Sequence, residues 1–253
     1  MLTINNNALE FYFPEVHSEA FCRISLHRED PLERKSILNW LETDRVSLVH
    51  VDDYAKALPE SWVKRGGVLA PVRQGEHLRI ELEGVYPFAV KIASGKVNAI
   101  TSKPWKEALD PEEQDYLVSS LQPSLSGFCQ ADGSAKKFVI SPLGLGHSME
   151  ERVTGAAEFG GIQVMGFPEK AEFYEEAKQR PLFSRNRVEE PVPSYSVLAL
   201  DAEEAIDEGI EKDDNPHRWK TDTFARCFIH LVSEVDFKRI IGRRATARRT
   251  MPI

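Results

Sequence analysis

The sequence predicts an α+β protein dominated by antiparallel sheet, packed as a β sandwich or a curved double sheet with a few short peripheral helices. Two hairpin patterns carry this prediction, at residues 88–101 and 127–140, because each has a glycine turn between runs of apolar residues. The third observation is the stretch 77–83, where leucine and isoleucine alternate with charged residues. A period of two is typical of a strand with one buried face.

The first hairpin has a predicted register. A two-residue turn at Ser94-Gly95, with glycine at positive φ, pairs Ile92 with Val97 and collects the large apolar side chains on one face. Lys91 then lies opposite Asn98 on the other face. The favoured interpretation is an exposed lysine beside a polar neighbour. The alternative is a ligand site in which Lys91 and Asn98 converge on a carboxylate or phosphate above a small apolar floor.

The second hairpin depends on the length of its loop. A two-residue turn at Asp132-Gly133 would place Phe128 and Phe138 on opposite faces, whereas a loop of three or five residues aligns the two rings. We expect the odd loop, with Gly133 as its left-handed residue.

Further elements precede the hairpins. Residues 22–26 alternate like a half-buried strand, and Asp30-Pro31 is typical of a helix start, with Trp40 on the apolar face of that helix. Residues 46–51 predict another strand, and residues 53–58 predict a short helical turn.

Four more elements follow the hairpins. Residues 162–167 predict a short strand, residues 171–178 a helix, and residues 235–241 a short helix that stops at the next glycine. Residues 227–232 are apolar on both faces apart from one histidine, which predicts a strand in the middle of a sheet.

Length and composition set broad limits. We expect the 253 residues to form a single β-rich domain, 1–253, with the N-terminal 1–60 part as an alternative separate subdomain and an irregular connection at 181–193. Hydrophobic and charged fractions of 42% and 28% are ordinary for a folded soluble protein. The net charge of −8 argues against binding nucleic acid or an anionic membrane through the whole surface. No apolar run approaches bilayer length, and the first residues lack a signal-peptide pattern.

Cysteine and histidine usage indicates neither a disulfide framework nor a metal site. The three cysteines are widely spaced and lie in strand-like patterns, which favours reduced thiols in a cytoplasmic protein. The seven histidines show no H-x-H or H-x-x-x-H spacing, so no local metal site is expected. We therefore expect no metal and no cofactor.

The loop after the second hairpin is the strongest small-ligand candidate. Gly144, Gly146 and His147 lead into Ser148, which forms an S-x-x-E capping box with Glu151 at a predicted helix start. Exposed amides at such a position can also bind an anion. The pattern lacks the further residues of a dinucleotide or nucleotide-triphosphate loop, so the capping interpretation is favoured.

Two charged segments have plainer interpretations. Residues 201–214 are strongly acidic and are expected to form a solvated helix and loop, because their spacing does not match a calcium loop. The basic tail contains Arg243, Arg244, Arg248 and Arg249, and disorder is favoured there over binding to phosphate or to an acidic surface. Nucleic acid is an expected partner only through this tail.

Several stretches of the chain carry a family resemblance. They are residues 62–71, 86–100, 138–151, 160–164, 214–216 with Trp219, and 227–233. These stretches resemble a family of uncharacterised bacterial proteins, and the resemblance covers most of the chain from Trp62 onward apart from the acidic segment and the tail. It implies no activity, cofactor or catalytic residue.

Two functions from different classes fit the sequence. The first is a soluble, cytoplasmic, non-catalytic binding or assembly protein, because the strands are well specified while no catalytic set is recognisable. The alternative is an enzyme of hydrolase or transferase type, whose site is assembled from distant residues around the 144–148 loop and Lys91. Edge strands with few charges or prolines also predict a homo-oligomer.

Overall fold

The computed structural model describes residues 2–29, 45–110, 112–130, 134–179, 205–206 and 209–249. The strands in these ranges are β1 (Leu2–Asn5), β2 (Ala8–Tyr12), β3 (Phe21–Glu29), β4 (Val49–His50), β5 (Val68–Val72), β6 (His77–Glu83), β7 (Phe88–Ser94), β8 (Val97–Asn98), β9 (Leu117–Val118), β10 (Ser124–Leu125), β11 (Gly127–Cys129), β12 (Ala135–Val139), β13 (Ile162–Pro168), β14 (Ala205–Ile206) and β15 (Ala225–Ser233). The α-helices are α1 (Glu60–Arg65), α2 (Met149–Thr154), α3 (Ala171–Gln179) and α4 (Glu234–Arg249), and short 3-10 helices span Asp52–Ala57 and Pro216–Arg218.

These strands form two sheets. The eight-stranded sheet has the order β1-β2-β3-β6-β12-β11, with β10 beside β6 and β14 beside β12. The seven-stranded sheet has the order β4-β5-β15-β13-β7-β8, with β9 beside β7. The pairings are antiparallel except for β5 with β15. This architecture confirms the predicted α+β fold.

The inner faces of the two sheets share one hydrophobic core. Ile24 and Ile80 of the first sheet and Val90, Val164 and Ile229 of the second are all essentially inaccessible to solvent. Each belongs to a strand whose alternate residues point into the same layer, as expected for a sandwich.

The outer face of the seven-stranded sheet is also covered. Trp105 and Leu109, from the segment that follows β8, pack against Tyr116, Met165 and Phe167. Because of this cover, β7 is buried on both faces, although its antiparallel pairing would allow one face to be wet.

The first hairpin differs from its predicted register. Ser94 pairs with Val97 and Ala93 pairs with Asn98, so the turn lies at Gly95-Lys96 rather than Ser94-Gly95. Gly95 has the predicted positive φ, 56°. The partner of Asn98 moves by two residues, from Lys91 to Ala93, and a shift of two keeps Lys91 and Asn98 on the same face.

The second hairpin has the predicted odd loop with a different partner. Phe128 lies opposite Lys136, not Phe138. Phe138 is two residues further along β12 and therefore points to the same side, where the two rings meet edge to face with centroids 4.9 Å apart. The two aromatic residues share a face, as predicted.

The last helix is longer than predicted. We expected a helix that stops at Gly242 and a disordered basic tail, but α4 continues through Gly242 to Arg249. One glycine costs a helix only about 1 kcal/mol, and the alanines and arginines that follow are good helix formers. Within the described ranges, none of the helices combines the length and the apolar character that crossing a bilayer requires.

Most other predicted elements that can be checked are present. The strands at 22–26, 77–83, 162–167 and 227–232 are confirmed, and β15 is a central strand between β5 and β13. The helix after Asp30, Gly133 and the connection 181–193 lie outside the described residues.

Candidate functional site

A cleft of about 720 Å³ opens where several strands of the two sheets end. Ser94, the last residue of β7, and Val139, the last residue of β12, line the cleft. Gly160 and Gly161, which directly precede β13, line it as well. The cleft is continuous with a smaller apolar slot of about 60 Å³, because Ser94, Phe128 and Val139 line both. We call the two together the inter-sheet cleft.

The slot lies between the inner faces of the sheets. Ile80 and Phe138 line it from one sheet and Ile92 and Ile162 from the other. The mouth also keeps apolar surface in contact with solvent: Val139, Leu143 and, in the same loop, Leu145 are 50%, 40% and 61% exposed. Apolar side chains grouped at the mouth of a cavity are typical of a binding site.

Cationic side chains surround the mouth. Lys136, Lys137 and Arg152 line the cleft, and Glu158 is the exposed carboxylate among them. Lys136 and Arg152 are exposed, and no described side chain forms a hydrogen bond or ion pair with either. With respect to the described side chains, these two cations are therefore available to a ligand.

His230 also lines the cleft but adds no charge to it. Its Nε2 lies 3.0 Å from the carbonyl oxygen of Gly66, and its ring stacks on Trp62 with centroids 4.7 Å apart. Burial lowers the pKa of His230 to about 4. Near neutral pH the ring is therefore uncharged, and Nε2 donates its proton to the carbonyl.

The loop that contains Gly144, Gly146, His147 and Ser148 forms one edge of the cleft. Ser148 caps α2: its Oγ accepts a hydrogen bond from the Glu151 amide at 3.2 Å, and the Glu151 carboxylate accepts from Ser148 Oγ at 2.6 Å and from the Gly146 amide at 2.8 Å. The hydrogen bond from the Ser148 hydroxyl is the main reason why the pKa of Glu151 is lowered. This geometry confirms the predicted capping box.

The hydrogen bonds of the same loop argue against the alternative that its amides bind an anion. The Gly146 and Ser148 amides are bound to the Glu151 carboxylate, which holds the position that an anion would take. His147 is exposed and lines the cleft, while Gly144 is exposed at positive φ. His147 is thus the residue of this loop whose side chain remains open to a ligand.

Glu150 has a role that the sequence did not reveal. Its side chain is buried and accepts hydrogen bonds from the amides of Phe159 and Gly160, at 3.1 and 2.7 Å. This contact holds the loop before β13 against α2 and so shapes one wall of the cleft. Glu150 and Gly160 are ten residues apart, so no local pattern indicates the contact.

Lys91 is not exposed, so the favoured interpretation from the sequence is wrong. Its side chain is fully buried, with Nζ 2.6 Å from Asp115 Oδ2 and 5.1 Å from the centre of the Trp105 ring. Nζ also donates to the carbonyl oxygen of Ala108. Burial raises the pKa of Asp115, and the Lys91 ammonium opposes that rise. The segment that covers β7 therefore provides the partners of Lys91.

Asn98 joins the same buried group. Its Nδ2 donates to the backbone oxygen of Asp115 at 2.8 Å, and its Oδ1 accepts from the Ile100 amide at 2.8 Å. Lys91 and Asn98 thus come together, as predicted, but they bind Asp115. They are on the outer side of their sheet and do not line the inter-sheet cleft, so the structure does not join them to the 144–148 loop.

A second cavity, of about 710 Å³, lies on the other side of the seven-stranded sheet, over Tyr116 and Trp219. Beneath it, Asp213 Oδ2 accepts from Tyr116 Oη at 2.8 Å and from Trp219 Nε1 at 2.7 Å, and Arg218 lies 3.1 Å from Oδ1. Burial raises the pKa of Tyr116. Asp213 is therefore buried, which corrects its predicted place in a solvated acidic segment.

The charged rim of this second cavity is paired in part, and the exposed carboxylates Glu15 and Glu172 also line it. Lys106 holds Asp110 at 2.7 Å, and Lys220 holds Asp222 at 3.0 Å. We take the inter-sheet cleft as the stronger candidate, because it continues into an apolar slot between the sheets and carries exposed apolar side chains at its mouth.

The described residues offer no candidate metal site and no candidate thiol nucleophile at Cys22 or Cys227. In the part of the chain that the structure describes, no three histidine, cysteine or acidic side chains come together as metal ligands. Cys22, Cys129 and Cys227 are buried and form no disulfide, and burial raises the pKa of Cys22 and of Cys227 to about 12. Those two thiols are protonated at neutral pH and are poor nucleophiles.

Comparison with protein families, curated proteins and solved structures found no match, so the resemblance to a bacterial family stays a prediction and the site is interpreted from its own geometry.

Proposed function

We propose that this protein is a soluble, cytoplasmic, non-catalytic binding protein and that the inter-sheet cleft is its ligand site. One observation carries the proposal: a cleft of about 720 Å³ opens into an apolar slot between the sheets, at a mouth with exposed apolar side chains. Volumes of this size and a mainly apolar lining are typical of small-molecule sites. Three buried cysteines that form no disulfide support the cytoplasmic location.

The polar groups around the cleft favour binding over catalysis. Ser148 Oγ donates to Glu151, and that carboxylate also holds two loop amides. Glu150 holds the loop before β13 through two further amides. A nucleophile and a base that serve as structural hydrogen-bond partners are poorly placed to react with a substrate, so no observation favours the enzyme alternative.

Binding of the neutral apolar fluorophore N-phenyl-1-naphthylamine tests the proposal. Ser94 lines both parts of the cleft, so Ser94→Leu should fill the passage to the slot and weaken fluorophore binding at least tenfold. Titration followed by fluorescence measures the affinity, and an unchanged thermal unfolding midpoint shows that the variant is folded.

The matched control is Ser120→Leu, which adds the same side chain at an exposed serine that does not line the cleft. It should bind like the wild type. If the wild type shows no saturable binding, or if both variants bind equally well, the cleft is not the ligand site.

A further inference from the structure

The inter-sheet cleft separates its apolar and charged surfaces by depth. The slot is lined by leucine, isoleucine, valine, alanine and phenylalanine side chains, with Ser94 as the polar exception. An apolar cavity of this kind stays dry and accepts apolar groups. Its volume of about 60 Å³ corresponds to about two groups the size of a water molecule. The slot therefore admits the end of an alkyl chain or the edge of a ring, while the rest of the ligand lies in the wider cleft.

The mouth presents the opposite chemistry. Lys136 and Arg152 are exposed and have no described partner, while Lys137 adds a third cation and Glu158 opposes them. Glu150 also lines the cleft, but its carboxylate faces the amides of the 159–160 loop. This local excess of cations occurs on a chain whose net charge is −8. Ammonium and guanidinium groups bind carboxylates and phosphates.

The cationic mouth and the apolar slot are close enough for one small ligand to contact both. Lys136 is two residues from Phe138 on the same side of β12, and Phe138 lines the slot. Two strand residues span about 7 Å. A ligand that reaches both must carry its charge several carbon atoms away from its apolar end.

We infer that the cleft binds an amphipathic anion, an alkyl chain with a terminal carboxylate or phosphate, whose tail enters the slot and whose head group contacts Lys136 and Arg152. This inference rests on the proposed function, because it names the ligand class of the same cleft.

Probes with one chain length and different head groups test the inference. The affinity of each probe is measured by its ability to displace the fluorophore from the wild-type protein. The probes are decanoate, decyl phosphate, 1-decanol and decyltrimethylammonium, each below the concentration at which it forms micelles. Both anions, or the one whose head group fits, should bind at least tenfold more tightly than the alcohol, and the cation most weakly. The tighter of the two anions identifies the head group.

The outcomes separate the two proposals. Equal binding of 1-decanol and both anions overturns the anion inference and leaves the binding function intact. If the fluorophore itself does not bind saturably, the proposed function fails first.

Variants of the mouth provide the second measurement. Lys136→Met and Arg152→Met should each weaken binding of the preferred anion on the order of fivefold, since exposed ion pairs are modest in energy, and should leave 1-decanol unchanged. The control is Lys56→Met, an exposed lysine that does not line the cleft. If the double variant Lys136→Met, Arg152→Met binds the anion as tightly as the wild type, these side chains do not recognise the head group and the inference is wrong.

Discussion

Lys91 illustrates how the role of one residue depends on a segment far along the chain. Alternation along β7 places it on the face away from the core, where a lysine is ordinarily wet. The chain after β8 folds back over that face and brings Asp115 and the Ala108 carbonyl to the ammonium. The shared face of Lys91 and Asn98 was predictable from the period of two. Their partner was not, because Asp115 lies 24 residues from Lys91 and no pattern relates the two.

Replacing Lys91 should destabilise the fold. Lys91→Met leaves the buried Asp115 carboxylate unpaired, so we expect a loss of about 3–5 kcal/mol in the free energy of unfolding. Urea denaturation measures the loss. Burial already holds the folded-state pKa of Asp115 above its unfolded value, and loss of Lys91 raises it further. The deficit relative to the wild type should therefore grow as the pH rises and shrink as the carboxyl group becomes protonated.

The double variant Lys91→Met, Asp115→Asn is the control, since it removes both charges. It should recover more than half of the lost stability, because an uncharged pair avoids the cost of one unpaired ion. A Lys91→Met variant as stable as the wild type would contradict the structural role of the ion pair.

Secondary structure was most predictable where an element has a strict period. The strands β3, β6, β13 and β15 follow from alternation or from continuous apolar residues, and α3 from its composition. The two-residue strands β4, β8 and β9 are too short to produce a pattern, and their pairing depends on their neighbours in the sheet. The helix α1 was missed because its six residues bury no side chain completely.

The turn of the first hairpin is determined partly by a contact with α2, which is distant in sequence. Glycine at positive φ was expected there, and Gly95 has φ 56°. The structure adds a second requirement, because a Cβ atom at this position would overlap the carboxylate of Glu150. The turn between β7 and β8 is therefore packed against α2, which carries the candidate loop.

Two glycine substitutions separate backbone strain from this packing. Gly155 has a similar φ of 73° but open space where a Cβ atom would lie, so Gly155→Ala should cost about 1–2 kcal/mol through backbone strain alone. Gly95→Ala carries the same strain and also displaces Glu150 from the Phe159 and Gly160 amides. We expect it to cost at least about 1 kcal/mol more, the value of a typical lost hydrogen bond. Chemical denaturation of both variants measures the difference, and equal losses would show that Glu150 can move freely.

At the scale of the whole molecule, the fold class can be predicted from local sequence patterns, whereas the cleft cannot be predicted from them. Two hairpins and several amphipathic strands suffice to predict two packed sheets. The cleft is built from Ser94, Lys136, Arg152 and Leu231, which come together only when both sheets form. Periodicity indicates which residues face inward, but the gap between two inner faces depends on side-chain sizes in both sheets.

The edge of the larger sheet supports the expected self-association. β1 is the terminal strand of that sheet and pairs with β2 on one side. Its residues, Leu-Thr-Ile-Asn, include neither a charge nor a proline, the devices by which proteins usually protect an edge. We propose that two copies pair through β1 about a two-fold axis, which would join their sheets.

Sedimentation equilibrium at micromolar concentration tests this pairing. The wild type should have the mass of a dimer, and Thr3→Lys should be a monomer, because Thr3 is exposed on β1 and a two-fold axis brings the two new lysines close together. Thr221→Lys, at an exposed position outside the strands, should remain a dimer. A wild-type monomer would refute self-association in this concentration range, and a dimeric Thr3→Lys variant would place the interface elsewhere.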